Sequence, residues 1–197
     1  MKCWKCLLIL VVGLSSCQDS SKSLPEARKY YLEYLLNNDK TYLDKTYESL
    51  KSRGYLEEHG LNEQNRDIVV MLLLQMKKYD ELEGLLTANQ DMRAFDKNLA
   101  LNLTRSLAIY PEDSVEAKRL MLENLQLVEN EMEANPNDSL LWGSHFTARM
   151  YLVGREKALQ EIDSLKSVDD RYSDIFYEYT LKELIKEYPD ELMYKRK

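Results

Sequence analysis

The chain is poor in the residues that build reactive centres. It holds only three cysteines and two histidines in 197 residues, and every cysteine falls at or before position 17. Beyond Cys17 no internal disulfide can close and no thiolate metal site can be assembled. His59, in Glu57-Glu58-His59-Gly60, lacks the second histidine of an H-E-x-x-H zinc helix. Six glycines and four prolines leave little material for tight β-turns or a glycine-rich phosphate cradle, and no G-x-S-x-G is present. Positive charge is also short: 27 Lys and Arg stand against 34 Asp and Glu, a net −7. That balance argues against nucleic acid as a partner, since phosphate neutralisation needs a basic surface. Long apolar runs are missing too. Leu7–Leu14 (LLILVVGL) and Ile68–Leu74 (IVVMLLL) both fall well short of the roughly 20 residues of a membrane-spanning helix. The second of them reads as part of a buried helix or strand.

The first run has a context of its own. Lys2 and Lys5 precede it, and Leu14-Ser15-Ser16-Cys17 follows, the order of charged region, apolar core and small-residue cleavage site found in export signals. The stretch resembles the signal and lipobox of bacterial lipoprotein precursors. The resemblance implies that residues 1–16 are removed and that Cys17 carries a diacylglyceryl group and an acylated amino terminus. At about 0.8 kcal/mol per buried CH2, such chains anchor the protein stably to a membrane. The Cys3-Trp4-Lys5-Cys6 pair then leaves with the signal, and the remaining chain carries 25 basic and 34 acidic residues, a net −9. Residues 17–23 read as the lipidated cysteine and a flexible tether. Gln18 follows the cysteine, so an outer-membrane destination is expected, with the periplasmic and surface faces both open.

The remainder, 24–197, is expected to be one all-α domain. Leu, Glu, Lys and Asn dominate a composition that favours helices. Ser23-Leu24-Pro25-Glu26 offers a capping box for a helix to about Asn38, and Asp39 can cap a second ending at Gly54. A third helix is predicted from about Asn62 to Lys78, a fourth from Tyr79 to Ala88, and a fifth from Asp91 to before Pro111. Asp113 or Ser114 caps a sixth, with Met121, Leu125, Val128 and Met132 as its apolar stripe. Asp138 or Ser139 caps a seventh that shows Trp142, Phe146, Met150 and Val153 on one face. An eighth runs from Glu156 to Lys166 after Gly154, and a last from Arg171 to Tyr188.

Two stretches resemble tetratricopeptide repeats. Met76–Leu86 (MKKYDELEGLL) is similar to that family's inter-helix turn and second helix, with Lys77 where the family prefers glycine and Leu82 where it prefers alanine. Asn135–Ala158 is similar to the closing proline of one repeat and the helix, Gly154 turn and following helix of the next. No 34-residue period runs through the chain. The resemblance implies antiparallel helix pairs forming a short tetratricopeptide-like α-solenoid or a helical bundle.

No catalytic constellation stands out. The carboxylate pairs Glu57/Glu58, Asp80/Glu81, Glu129/Glu131/Glu133, Asp169/Asp170 and Asp190/Glu191 read mainly as solvated faces. No cofactor or metal is expected. Fourteen tyrosines and two tryptophans point instead to contact surfaces, because rigid rings bury much area and keep a polar tip. Trp142, His145, Tyr151, Tyr172 and Tyr179 are the candidate binding surface. Asp-Ser-Val/Leu triplets at Ser114, Ser139 and Ser164 resemble a short O-glycosylation motif of exported bacterial proteins. The expected function is non-enzymatic: an envelope lipoprotein that binds a protein partner as an assembly factor does. An immunity lipoprotein that neutralises a toxin and a glycan-binding lipoprotein are the alternatives.

Overall fold

The computed structural model describes residues 24–57 and 60–187. It is all-helical, with no strand among the described residues. In chain order the α-helices are α1 (Pro25–Asn37), α2 (Thr41–Lys51), α3 (Arg66–Gln75), α4 (Tyr79–Ala88), α5 (Ala94–Ile109), α6 (Ser114–Ala134), α7 (Leu140–Val153), α8 (Arg155–Lys166) and α9 (Lys182–Glu187). A π-helical stretch, Phe176–Leu181, runs directly into α9. The chain divides into two compact units between Thr104 and Arg105, inside α5.

In the first unit each hairpin closes on polar contacts that fix its direction. Glu26 at the start of α1 faces Arg53 just beyond α2 at 3.9 Å, so the two helices run antiparallel. Asn89 at the end of α4 donates to the Leu61 carbonyl ahead of α3 at 2.7 Å, which sets the second pair antiparallel. Arg28 donates to the Gln64 carbonyl and the Tyr34 hydroxyl donates to Gln75, so α1 lies alongside α3 in the same direction. The interior is aliphatic: Leu50, Val69, Leu72, Leu73, Leu82 and Leu86 are fully buried, each side chain contributing about 1.5–3 kcal/mol.

Helix ends in this unit are set by local chemistry. Asp39 accepts from the Thr41 amide at 2.9 Å, as expected of it. Gly54 (φ 71°) and Lys77 (φ 58°) are left-handed. The Lys78 amide bonds the Leu73 carbonyl and the Lys77 amide bonds Leu74, the paired closure of a Schellman motif. Two expected starts shift. The third helix begins at Arg66 rather than Asn62, because the Asn62 and Asn65 side chains fold residues 62–65 into a turn through exchanged hydrogen bonds. The fifth begins at Ala94 rather than Asp91, because Asn89 Oδ1 accepts from the Asp91 and Met92 amides and holds them outside the helix. Ser23, half of the expected capping box, lies outside the described residues.

The second unit is built from α6, α7, α8, the π-helical stretch and α9. Asp113, not Ser114, caps α6, accepting from the Val115 and Glu116 amides. Asp138 accepts from the Leu140 amide at the start of α7. Met121, Leu125 and Val128 are buried as the stripe predicts, while Met132 is half-buried. Arg149 on α7 donates to Glu161 on α8 at 2.8 Å across the Gly154 turn (φ 93°). Lys182 on α9 pairs with Asp163 on α8 at 2.6 Å, and Lys166 pairs with Glu178 at 3.1 Å. Gly143 lets α9 come close, since a Cβ there would sit 3.1 Å from Leu184 Cδ2. The last helix does not start at Arg171 as expected. Residues 169–173 stay irregular because Asp169 and Arg171 satisfy each other's polar groups locally.

Candidate functional site

The rings of α7 follow from helical spacing, since positions three and four apart share a side. Trp142 stacks on Phe146 with centroids 5.8 Å apart and planes 22° apart. His145 meets both rings edge-on, at 5.6 Å from Trp142 and 5.1 Å from Phe146. Phe146 is buried in the core and Trp142 is half-buried. Burial depresses the His145 pKa to about 4, the Arg149 charge adds to that, and Glu161 opposes it. Glu129 Oε1 lies 3.9 Å from His145 Nδ1, too far for a hydrogen bond. Nδ1 is buried without a hydrogen-bond partner among the described residues. His145 is therefore neutral near pH 7 and acts as a packing ring.

A second set of rings forms where α8 hands over to the π-helical stretch. Tyr172 and Phe176 lie 4.6 Å apart, and Tyr172 and Tyr177 are edge-on at 6.4 Å. Tyr177 is buried and donates its hydroxyl to the Asp169 carbonyl at 3.2 Å. The Arg171 guanidinium grips the Asp169 carboxylate in a fork, Nε at 2.9 Å and Nη2 at 2.7 Å, and this holds the Asp169 pKa below the usual range. Its remaining arm donates to the Pro136 carbonyl ahead of α7 at 3.1 Å. The segment is thus pinned at three points. It nevertheless presents aliphatic side chains to solvent: Val168 is 81% exposed and Ile175 60%, while Leu140, the first residue of α7, is 75% exposed.

Comparison with family models, with curated proteins and with solved structures finds no match to this chain.

The five expected surface residues separate. Trp142 and His145 share the α7 ring set, and Tyr172 belongs to the second set. Tyr179, in the π-helical stretch, is 37% exposed. Tyr151 is only 3% exposed and belongs to the core, which corrects its placement on a binding face. It falls on the buried side of α7 because Ala148 and Met150 beside it also pack inward. Leu140, Val168 and Ile175 escaped the sequence reading. Their signal was faint: single aliphatic residues standing among Asp and Ser at helix ends.

The carboxylates are mostly engaged or solvated. Glu81 accepts from the Tyr47 hydroxyl at 3.0 Å and from Lys78 at 3.3 Å, beside an open groove of about 490 Å³ along α4. No group of three His, Cys, Asp or Glu is placed to hold a metal among the described residues. No helix among them is long and apolar enough to cross a membrane. Of the triplet serines, Ser114 is exposed, Ser139 is half-buried and Ser164 donates to the Gln160 carbonyl at 3.0 Å. Cys17, His59, Glu58 and Asp190/Glu191 lie outside the described residues.

Proposed function

We propose that this chain is a lipid-anchored, non-enzymatic protein-interaction module of the bacterial envelope, with an assembly-factor role. One observation carries the reading: a helical-hairpin scaffold holds exposed aliphatic and aromatic side chains in an ordered segment pinned by Asp169, Arg171 and Tyr177. Exposed apolar residues on a rigid frame bind with little ordering cost, which suits recognition. The lipobox at Cys17 supplies the anchor, and the outer membrane is the proposed destination. Support for a tetratricopeptide-like arrangement comes from Lys77, whose left-handed backbone falls where that family prefers glycine.

The test is affinity purification of the tagged full-length lipoprotein from detergent-solubilised envelopes of its own cells. Stoichiometric recovery of a resident membrane complex is expected. A toxin neutraliser would return no resident partner and would protect cells only against a challenge. Calorimetric titration with envelope glycans addresses the third reading: saturable binding lost in Trp142→Ala, with helicity retained, would replace the protein-partner proposal.

A further inference from the structure

We infer that the groove along α4 is a docking site for a protein segment that packs its backbone against Gly84 and presents Lys or Arg to Asp80. This rests on the protein-interaction reading and names a contact site within the first unit, with the chemistry of its partner.

Gly84 serves no purpose inside the fold, and the other glycines among the described residues do. Gly54 and Gly154 hold positive φ, at 71° and 93°. A Cβ at Gly60 would sit 2.2 Å from the Gly54 carbonyl oxygen, and one at Gly143 would sit 3.1 Å from Leu184 Cδ2. Gly84 stands near the middle of α4 without a positive φ, and a Cβ there would meet nothing within 4 Å. A glycine inside a helix costs stability relative to alanine, because it loses more freedom on folding. What the missing Cβ leaves is an open approach to the α4 backbone from outside the unit.

That approach lies in the groove of about 490 Å³, which Gly84 lines together with Leu56, Leu85 and Ala88. Leu85 is buried and Leu56 and Ala88 are half-buried, so the wall beside Gly84 is apolar. Asp80, Gly84 and Ala88 follow one another at four-residue spacing and share one side of the helix.

Charge identifies the occupant. Asp80 and Glu81 line the same groove, and no lysine or arginine does. Glu81 is engaged by Lys78 at 3.3 Å and by the Tyr47 hydroxyl at 3.0 Å, whereas Asp80 is exposed. The groove thus offers close approach at Gly84, apolar contact beside it and an open carboxylate one turn away. A second copy of the same face would set Asp80 against Asp80, and an anionic lipid surface would be repelled in the same way. A protein segment with apolar side chains and a basic residue one helical turn from its closest contact satisfies all three features.

In-cell photocrosslinking of the full-length chain tests this, with benzoylphenylalanine at Thr87, an exposed residue of the groove, and at Val115 on α6 as a reference. Protein adducts are expected at 87 and not at 115, with Lys or Arg in the crosslinked partner peptides. Gly84→Ala and Gly84→Leu should raise the urea midpoint, since both residues favour helix over glycine. The same variants should lower the adduct yield at 87, Gly84→Leu by roughly tenfold, because the added side chain fills the approach. Asp80→Asn should lower it roughly fivefold with helicity retained. Unchanged yield in both Gly84 variants would overturn the groove, as would a loss of stability in both, which would give the glycine a structural role. Protein adducts at 115 alone would overturn the groove and leave the interaction reading intact. Protein adducts at neither position would count against both. Adducts at 87 to the same chain, to lipid, or to peptides without Lys or Arg would overturn the assigned occupant.

Discussion

Arg171 donates through Nη1 to the carbonyl oxygen of Pro136, 35 residues earlier, at 3.1 Å while its other guanidinium nitrogens hold Asp169. One side chain therefore links the turn before α7 to the loop after α8. A guanidinium does this because its five donors lie in a fixed planar fork, a geometry that an ammonium with its three rotating donors does not reproduce. Arg171→Lys should keep the charge yet free the loop. Hydrogen–deuterium exchange is expected to speed up for amides of residues 168–175 and to stay unchanged in α6 and α7. Unaltered exchange in the loop would show that the link does not hold it.

His145 should make the second unit acid-sensitive within a defined window. Its pKa is near 6.5 in the unfolded chain and about 4 in the fold, where burial and Arg149 disfavour the charged form. Between those values the unfolded state binds more protons, so stability rises with pH there. The contribution is complete above about pH 6.5, is lost as pH falls toward 4, and amounts to at most about 3 kcal/mol. Urea midpoints at pH 7, 5.5 and 4.5 should fall progressively in the native chain and much less in His145→Phe. Parallel curves for the two proteins would assign the acid sensitivity to carboxylates instead. Glu161, held low by the Arg149 hydrogen bond, is one of these, and its contribution disappears only as pH falls through its own lowered pKa.

Lys77 occupies a left-handed position, φ 58°, that a Cβ disfavours. Lys77→Gly should stabilise the chain by roughly 0.5–1 kcal/mol, the relief of strain outweighing the added freedom of the unfolded glycine. Lys77→Val should destabilise it, since a β-branched residue fits φ > 0 worst. Chemical denaturation of the two variants measures both signs. A loss of stability in Lys77→Gly would mean that the lysine side chain contributes more than its backbone strain costs.

The proposed anchor predicts a processing defect. Cys17→Ser should abolish acylation and leave an uncleaved or misprocessed precursor in place of the membrane-held form. Intact mass of the membrane-extracted native protein should match a diacylated or triacylated chain that begins at Cys17. An unlipidated chain beginning elsewhere would remove the anchor from the proposal.

Helix ends were legible in the sequence because their causes are local. Asp39, Gly54, Asp113, Asp138 and Gly154 act on backbone groups within a few residues, so capping chemistry and backbone preference locate them without the fold. The all-α class followed from the same signals together with the spacing of apolar residues. Where two local rules competed, the sequence misled. Asn89 took the amides expected to open a helix at Asp91, and Asp169 with Arg171 delayed the last helical segment to Asp174. Exposure was decided only by tertiary packing. Tyr151 and Tyr172 are the same residue type, yet one is core and the other only half-buried against Phe176 and Tyr177. The neutral state of His145 likewise depends on how deeply packing buries the ring, which outweighs the opposing charge of Glu161 that α8 brings back across the Gly154 turn. Burial and charge sum over neighbours distant in sequence, and only the folded chain sets those neighbours beside one another.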